Sequence, residues 1–357
     1  MRLFEKYNFS LLISSVLICC ISLLVLYSFN VNLVKQQLVF FFLGIILFFL
    51  VGAVDFTVLL IFSRQLFITI VCLLLLTFFV GKEIRGSVRW ISFSFVNFQP
   101  SEFSKIILIL VLSAFFGYKV KSSIGLKTFS QSLLLLLPIL ILVFIQPDLG
   151  TFLILLLVYI SMFLYLKPSV YYFLFAFISG GILSNPIWFL LKDYQRVRIE
   201  TFLNPSLDPQ GSGYNVLQST IAVGSGMLFG KGFGFGTQSR LRFLPEYHTD
   251  FIFASFAEEW GFVGVTVLLL LFLILLNSLV SSFKEGQTLE GRLVGIGVFS
   301  FVLFHVLINI GMNLGIMPVT GIPLPLMSYG GSSLISTFIA LGLSNSVWYS
   351  SKRTRLG

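Results

Sequence analysis

The chain has 357 residues, of which 57% are hydrophobic and 10% are charged, and its formal net charge is +9. Its mean hydropathy is +1.00, whereas a soluble domain carries about 25% charged residues. This composition excludes a soluble globular enzyme. It predicts an all-α polytopic membrane protein, because backbone groups inside a bilayer must be satisfied within each spanning segment. The cysteines lie within apolar runs and do not suggest a disulfide framework or a metal site; they are Cys19, Cys20 and Cys72.

Apolar runs long enough to cross a bilayer recur along the whole chain. A helical span needs about 20 apolar residues, and the sequence accommodates about ten such spans. The first run is not followed by a small-x-small cleavage site, so it is interpreted as a retained span and not as a signal peptide. Residues 1–357 are thus predicted to form a single integral-membrane domain. The predicted spans are 9–29, 37–54, 65–81, 101–118, 130–146, 149–166, 169–191, 251–281, 291–313 and 332–350.

Charged residues between the spans predict the orientation of the chain. Basic residues collect in short loops on the N-terminal side of the membrane, and the tail 351–357 reads SKRTRLG. Under the positive-inside rule both termini are predicted to be cytoplasmic. Segments 82–99 and 192–249 then lie on the outer side, the second as a large extracytoplasmic loop between spans seven and eight.

These two outer segments differ in composition. The first is amphipathic and aromatic, and it is interpreted as an interfacial segment anchored by Trp90. The second mixes turn residues with aromatics, and long ordered loops of this kind usually carry function. Its run Gly230–Gly234 lacks the spacing of a phosphate-binding P-loop. These glycines are instead expected to let the backbone approach a neighbour closely.

Ionisable residues near the spans are functional candidates, because burying charge in a membrane is costly. Glu102 and Lys105 are three residues apart, so they share a helix face and either neutralise each other or position substrate. Asp148 is predicted to cap the following helix. Arg196 and Arg198 either anchor the chain at the interface or bind a pyrophosphate, since guanidinium groups match phosphate oxygens.

The stretch Arg240–Gly264 holds the favoured catalytic candidate, Asp250. A helix N-terminus favours its charged form, so a role as general base requires desolvation by substrate; the alternative is a helix cap. Residues 250–260 would lengthen span eight by about 16 Å, so this helix must tilt, kink or protrude. Glu258 and Glu259 lie about 80° and about 180° around the helix from Asp250, so at most one can share its cavity.

The polar stretch 318–333, PVTGIPLPLMSYGGSS, predicts irregular backbone between the last two spans. At membrane depth such backbone is tolerated only where protein covers it or where it lines a cavity. Asn309 and Asn313 lie one helical turn apart just before it.

Several motifs together resemble the SEDS (shape, elongation, division and sporulation) family of cell-wall polymerases. The spacing of GTQSRLRFLPE and the proline in GIMPVTGIPLPL favour its elongation branch, while Met227 stands where the family pattern has a further glycine. The matching segments are QPSEFSK (99–105), QPDLGT (146–151), FLNPSLDPQGSGYNVLQSTIAVGSG (202–226), GKGFGFGTQSRLRFLPEYHTDFIF (230–253), EEWGFVG (258–264) and NIGMNLGIMPVTGIPLPLMSYGGSS (309–333).

The resemblance implies a peptidoglycan glycosyltransferase of the bacterial cytoplasmic membrane, with its active site on the outer face. It would polymerise lipid II, a disaccharide-pentapeptide on undecaprenyl pyrophosphate, for cell elongation and rod shape. Asp250 matches the essential aspartate of the family, and Glu102 and Lys105 match its charged pair. Candidate substrate-binding residues are Glu102, Lys105, Arg196, Arg198, Lys231, Gln238, Arg240 and His248.

The resemblance also implies partners and a cofactor. The partners are a class B penicillin-binding protein transpeptidase, other elongation-machinery proteins and membrane lipids, with no nucleic acid. The cofactor is a divalent cation, Mg²⁺ or Mn²⁺, without a dedicated cage in the sequence, and no organic cofactor is expected. The alternatives are a lipid II flippase and a non-catalytic scaffold. The outer placement of the candidate residues disfavours a flippase, which needs an inner entry path.

Overall fold

The computed structural model describes residues 6–84, 87–93, 96–120, 125–169, 171–172, 181, 189, 191, 193–204, 211–241 and 243–356. Most of these residues are helical. The helices are α1 (Phe9–Phe29), α2 (Val31–Ala53), α3 (Phe56–Ile61), α4 (Ser63–Val80), α5 (Pro100–Lys119), α6 (Leu126–Ile145), α7 (Leu149–Tyr165), α8 (Asp193–Leu203), α9 (Ser212–Ser225), α10 (Thr237–Arg240), α11 (Ile252–Glu285), α12 (Leu289–Asn313) and α13 (Gly331–Leu356).

Seven of these helices are long and apolar enough to cross a membrane: α1, α2, α4, α5, α6, α11 and α12. Helix α7 is apolar but shorter. The predicted class, a helical polytopic membrane protein, is confirmed, and the helix bounds follow the predicted spans closely. The predicted seventh span, 169–191, lies almost entirely outside the described residues, so the count of about ten spans stays a prediction.

Helices α5 and α12 lie at the centre of the bundle. In the most apolar 18-residue stretch of each of these two helices, 67% of the residues are buried, whereas 17% are buried in the corresponding stretch of α4. Glu102 and Lys105 on α5, and His305 and Asn309 on α12, are all buried. Central helices can carry such polar side chains because the neighbouring helices cover them and supply hydrogen-bond partners.

Residues 82–84, 87–93 and 96–98, which are predicted to lie on the outer side, form a small antiparallel sheet that the sequence interpretation did not include. Its strands are β1 (Lys82–Ile84), β2 (Ser87–Phe93) and β3 (Val96–Phe98), in the order β1-β2-β3. Lys82 pairs with Trp90, and Ile91 pairs with Phe98. Helix α5 begins directly afterwards, with Pro100 in its first turn. The sheet thus lies beside the N-terminal end of α5.

Helix α11 is broken at Gly261, where φ is 65° and ψ is −166°. The break accounts for the excess length of predicted span eight. Segment 226–232 of the long loop supplies hydrogen-bond partners for the backbone groups near the break, which lose their partners within the helix. The N–H groups of Lys231 and Gly232 donate to the carbonyls of Glu258 and Glu259 at 2.9 and 3.1 Å, and those of Phe262 and Val263 donate to Met227 and Leu228 at 2.8 and 3.1 Å.

Met227 and Gly230 in this loop both adopt the left-handed conformation that glycine favours. Met227 has a φ of 46° although it stands in place of a glycine, and Gly230 has a φ of 80°. A Cβ atom at Gly230 would collide with the backbone of Glu259 and Gly261. The glycine is therefore required for close approach as well as for its dihedral angle.

Gly230→Ala is expected to destabilise the protein by about 3 kcal/mol or more, because left-handed strain is added to a backbone collision. Gly234→Ala is the matched control, since Gly234 has a similar φ of 74° but open space around its Cβ position. It should cost only about 1–2 kcal/mol. Thermal unfolding in detergent measures both, and equal losses would contradict the proposed loop–helix contact.

Candidate active site

A cavity of about 110 Å³ lies where the ends of several helices meet a strand. Its wall includes the start of α5, the turn before α7, strand β2 and the turn before α11. Three carboxylates line it, from Asp250, Glu102 and Asp148, together with the cationic side chains of Arg89 and Lys105. The structure therefore brings the predicted catalytic residue and the predicted charged pair to one site.

Glu102 and Lys105 form a buried ion pair on α5. The Lys105 Nζ atom lies 2.9 Å from Glu102 Oε1, and the two side chains are 1% and 5% exposed. Ser336 on α13 donates to Glu102 Oε2 at 3.2 Å. His305 on α12 lies 3.0 Å from the same Nζ atom through its Nε2. The lysine is thus held between two central helices, and both partners line the cavity.

Asp148 caps α7 as predicted, and it also lines the cavity. Its Oδ1 accepts the Thr151 N–H at 3.1 Å, and its Oδ2 accepts hydrogen bonds from Gln99 and Ser101, both at 3.0 Å. Arg89 on β2 forms an ion pair with it at 3.3 Å. Burial raises the pKa of Asp148, but the Arg89 guanidinium, the Thr151 hydrogen bonds and the Lys105 charge together hold this pKa below its usual range.

Asp250 lies two residues before α11 and not in its first turn. Its backbone carbonyl accepts hydrogen bonds from the amides of Asn309 and Asn313 on α12, at 3.0 and 3.1 Å. Gly321 faces its carboxylate with a φ of 71°. A Cβ atom at Gly321 would lie 3.5 Å from Asp250 Oδ2 and 3.8 Å from Arg198 Nη1. The carboxylate and the Arg198 guanidinium therefore approach the same glycine.

Asn313→Ala should lower the activity by displacing Asp250, although Asn313 itself does not line the cavity. It removes the donor to Asp250 and also the Oδ1 acceptor of the Ala254 N–H at 3.1 Å, so the turn carrying the carboxylate loses two supports. We expect a loss of about 10-fold in turnover, as for a misplaced catalytic group. Thr220→Ala on α9 is the control, since its hydroxyl bonds only within its own helix. Single-turnover assays check both variants.

Two predicted substrate-binding residues, Lys231 and Gln238, contact Glu258 on α11, and a third, Arg240, lies on the same short helix α10 as Gln238. Lys231 donates to Glu258 Oε1 at 2.7 Å, and the backbone N–H of Gln238 donates to the same carboxylate at 3.2 Å. Arg240 donates to the Gly234 carbonyl at 3.0 Å. Glu259 instead accepts a hydrogen bond from Ser28 on α1 at 2.7 Å. None of these residues lines the cavity as the described residues define it, so their role in substrate binding stays a prediction.

Arg196 and His248 do not line the cavity as the described residues define it. Arg196 donates to the Phe189 carbonyl at 2.8 Å, whereas Arg198, two residues later on α8, approaches Asp250. The His248 ring packs against Tyr329, a cavity residue, with centroids 5.7 Å apart. The His248 carbonyl accepts the Tyr329 N–H at 2.9 Å. His248 thus supports the wall behind Asp250.

Arg89 and His305 are cavity residues that sequence reasoning did not single out. His305 precedes Asn309 and Asn313 by one and two helical turns, so a shared helix face was the available indication. Arg89 had no such indication, because only the unpredicted sheet directs it to Asp148.

The residues of this site do not make a protein-only cage for Mg²⁺ or Mn²⁺. Among the described residues, no three or more histidine, cysteine or acidic side chains lie close enough together to hold a metal ion by themselves. Glu102 and Asp148 are already engaged by Lys105 and Arg89. A divalent cation here would need most of its ligands from phosphate oxygens and water.

The fold and the cavity define a polytopic membrane protein with a charged site built at its helix ends. Comparison with known proteins is consistent with this class. The sequence profile of the FtsW/RodA/SpoVE cell cycle proteins matches residues 3–353. The chain belongs to this family, the SEDS family.

Relatives are similar along most of their length. Peptidoglycan glycosyltransferase MrdB of Escherichia coli K12 is 40% identical over 286 residues, which cover 79% of this chain and 76% of that protein. Peptidoglycan glycosyltransferase RodA of Treponema pallidum is 32% identical, with coverage of 96% and 98%.

Two solved structures share the fold. One belongs to a study of a peptidoglycan synthase complex that coordinates polymerization and crosslinking; it is 34% identical, covers 97% of this chain and 98% of that one, and gives a TM-score of 0.83. The other is rod shape determining protein RodA of Thermus thermophilus, which is 30% identical, covers 96% of each chain and gives a TM-score of 0.72.

Proposed function

We propose that this chain is a peptidoglycan glycosyltransferase that polymerises lipid II into glycan strands for cell elongation and rod shape. Similar chains over most of its length carry the name peptidoglycan glycosyltransferase. The observation that carries the proposal is the placement of Asp250 in one cavity with Lys105 and Arg89, with Arg198 beside it. A carboxylate base among cations suits transfer of a sugar from a pyrophosphate leaving group.

In the proposed reaction, Asp250 accepts the proton of the acceptor sugar's 4-hydroxyl. The oxygen forms a bond to the anomeric carbon of the donor while the bond from that carbon to undecaprenyl pyrophosphate breaks. A single displacement on an α-linked donor inverts the centre and gives a β-1,4 product. The pyrophosphate leaves as an anion without a general acid, so one carboxylate suffices where glycosidases use two.

The cationic side chains act on the leaving group. Lys105, Arg89 and Arg198 lie close enough to the cavity to stabilise charge that develops on the pyrophosphate. A divalent cation would add positive charge on the same oxygens. The protein's own residues orient the acceptor, remove its proton and hold the leaving anion.

We place the chain in the bacterial cytoplasmic membrane with both termini in the cytoplasm and the cavity at the outer face. The positions of three cavity residues support this orientation. Glu102, Asp148 and Asp250 lie at or just before the N-termini of α5, α7 and α11, and all three helices are predicted to begin on the outer side. The partner is a class B penicillin-binding protein transpeptidase of the elongation machinery. A similar solved chain belongs to a complex that couples polymerization to crosslinking.

The test supplies lipid II to the purified chain and its partner in detergent, with the partner's transpeptidase blocked by a β-lactam. Glycan strands resolved on a gel are the expected product. A mixture that makes no strands, although both proteins are folded and bound to each other, would contradict the proposal.

A further inference from the structure

His305 lies on α12 beside Lys105, and its side chain is buried. The residue is 2% exposed and lines the cavity. Its Nδ1 atom lies 2.7 Å from the Phe301 carbonyl oxygen, and its Nε2 atom lies 3.0 Å from Lys105 Nζ. Both ring nitrogens are therefore engaged, one by backbone and one by a charged side chain.

These contacts fix the form of the imidazole. A carbonyl oxygen only accepts hydrogen bonds, so Nδ1 must carry the proton that is donated to Phe301. In the neutral ring Nε2 then has a lone pair and accepts from the Lys105 ammonium. A second proton on Nε2 would instead place an N–H donor against an N–H donor.

The ammonium of Lys105 is thereby held in a defined direction. It has three N–H donors, of which Glu102 and His305 engage two, at 2.9 and 3.0 Å. The Phe301 ring lies 5.3 Å from Nζ and adds cation–π attraction. The remaining N–H is left for the cavity that all three polar side chains line.

At the position of His305, beside Lys105, a neutral hydrogen-bond acceptor is better suited than a second carboxylate. The Glu102 charge already balances Lys105, and a further negative charge would repel an incoming phosphate. The imidazole fixes the ammonium without that repulsion. Its own backbone bond to Phe301 keeps Nε2 in position.

We propose that His305 is a positioning residue that directs the Lys105 ammonium at the leaving pyrophosphate, an inference that rests on the proposed glycosyl transfer. His305 itself transfers no proton. Its contribution is expected in kcat more than in KM for lipid II, because charge on the pyrophosphate grows as the bond to the sugar breaks.

The first test compares substitutions of His305 in the full chain, in lipid nanodiscs with the β-lactam-blocked partner present. His305→Leu removes the acceptor and should lower kcat about 10- to 100-fold, as for one hydrogen bond to a charged group. His305→Gln retains an acceptor oxygen near the Nε2 position and should stay within about threefold of wild type. Ser300→Ala, also buried on α12 but away from the cavity, is the matched control.

The second test separates positioning from a structural role. If His305 acts through Lys105, adding His305→Leu to Lys105→Met should change the residual rate by less than about twofold. Equal losses with and without Lys105 would overturn the inference. So would wild-type kcat in a folded His305→Leu variant.

A binding measurement keeps this result distinct from failure of the proposed function. If wild-type protein makes no glycan, the polymerase proposal fails by itself. Affinity for undecaprenyl pyrophosphate in nanodiscs then decides the inference: it should fall for His305→Leu and hold for His305→Gln. Equal affinities for the two variants would overturn it.

Discussion

Asp250→Asn is expected to lower lipid II polymerisation by about 10²- to 10⁴-fold, the range for loss of a general base. Asparagine keeps the size of the side chain, and the backbone carbonyl can still accept from Asn309 and Asn313. The fold should therefore persist while the proton acceptor is lost. Initial rates of glycan formation at saturating lipid II measure the effect.

Glu246→Gln is the matched control for this experiment. Glu246 lies in the same turn as Asp250 but does not line the cavity, and glutamine can still accept from the Thr249 hydroxyl, now 3.0 Å from Glu246 Oε2. This variant should keep nearly the full rate. A folded, partner-bound Asp250→Asn protein that polymerises at the wild-type rate would rule out the base.

Lys105→Met should impair both stability and activity. Glu102 is 3% exposed and would be left as a buried charge without its counter-ion, which costs about 3–5 kcal/mol. Adding Glu102→Gln removes that charge, so the double variant is expected to recover most of the lost stability. It should still polymerise at least about 10-fold more slowly than wild type, because the cation facing the pyrophosphate is gone.

Thermal unfolding and glycan synthesis on the same preparations separate the two effects. Lys119→Met is the control on α5, since Lys119 is exposed in the last turn of that helix. A double variant that regains both stability and wild-type turnover would show that the pair is only structural.

The sequence predicted the helices well because their apolar runs are local features. It also placed Glu102 and Lys105 on one face, since a three-residue spacing decides this without tertiary information. The contact between Lys105 and His305 joins residues 200 apart in sequence, and no periodicity reports such a pairing. The site residues near helix N-termini, Glu102, Lys105 and Asp250, were therefore predicted. The contact that depends on the packing of distant helices, between Lys105 and His305, was not.

The long loop shows a second limit of sequence reasoning. The resemblance makes Lys231, Gln238 and Arg240 candidates for substrate binding, but no local pattern indicates what they contact within the loop. In the structure the Lys231 ammonium and the Gln238 N–H meet the carboxylate of Glu258, which is fully buried, whereas Arg240 donates to the Gly234 carbonyl. The contact between Lys231 and Glu258 joins residues 27 apart in sequence, so no helical spacing indicates it, and the role of these residues in substrate binding stays a prediction.

Tolerance to substitution should differ sharply along the loop that meets this break. Met227, Leu228 and Phe229 are 81%, 61% and 80% exposed, and Met227 and Leu228 meet α11 through their backbone carbonyls. Folding is therefore expected to constrain the Leu228 and Phe229 side chains little and to constrain Gly230 and Gly261 strongly, because a Cβ atom at either glycine would collide with the backbone of the other. The exposed surface here can therefore change, and with it what contacts the surface, while the position of the first half of α11, which directly follows Asp250, is preserved.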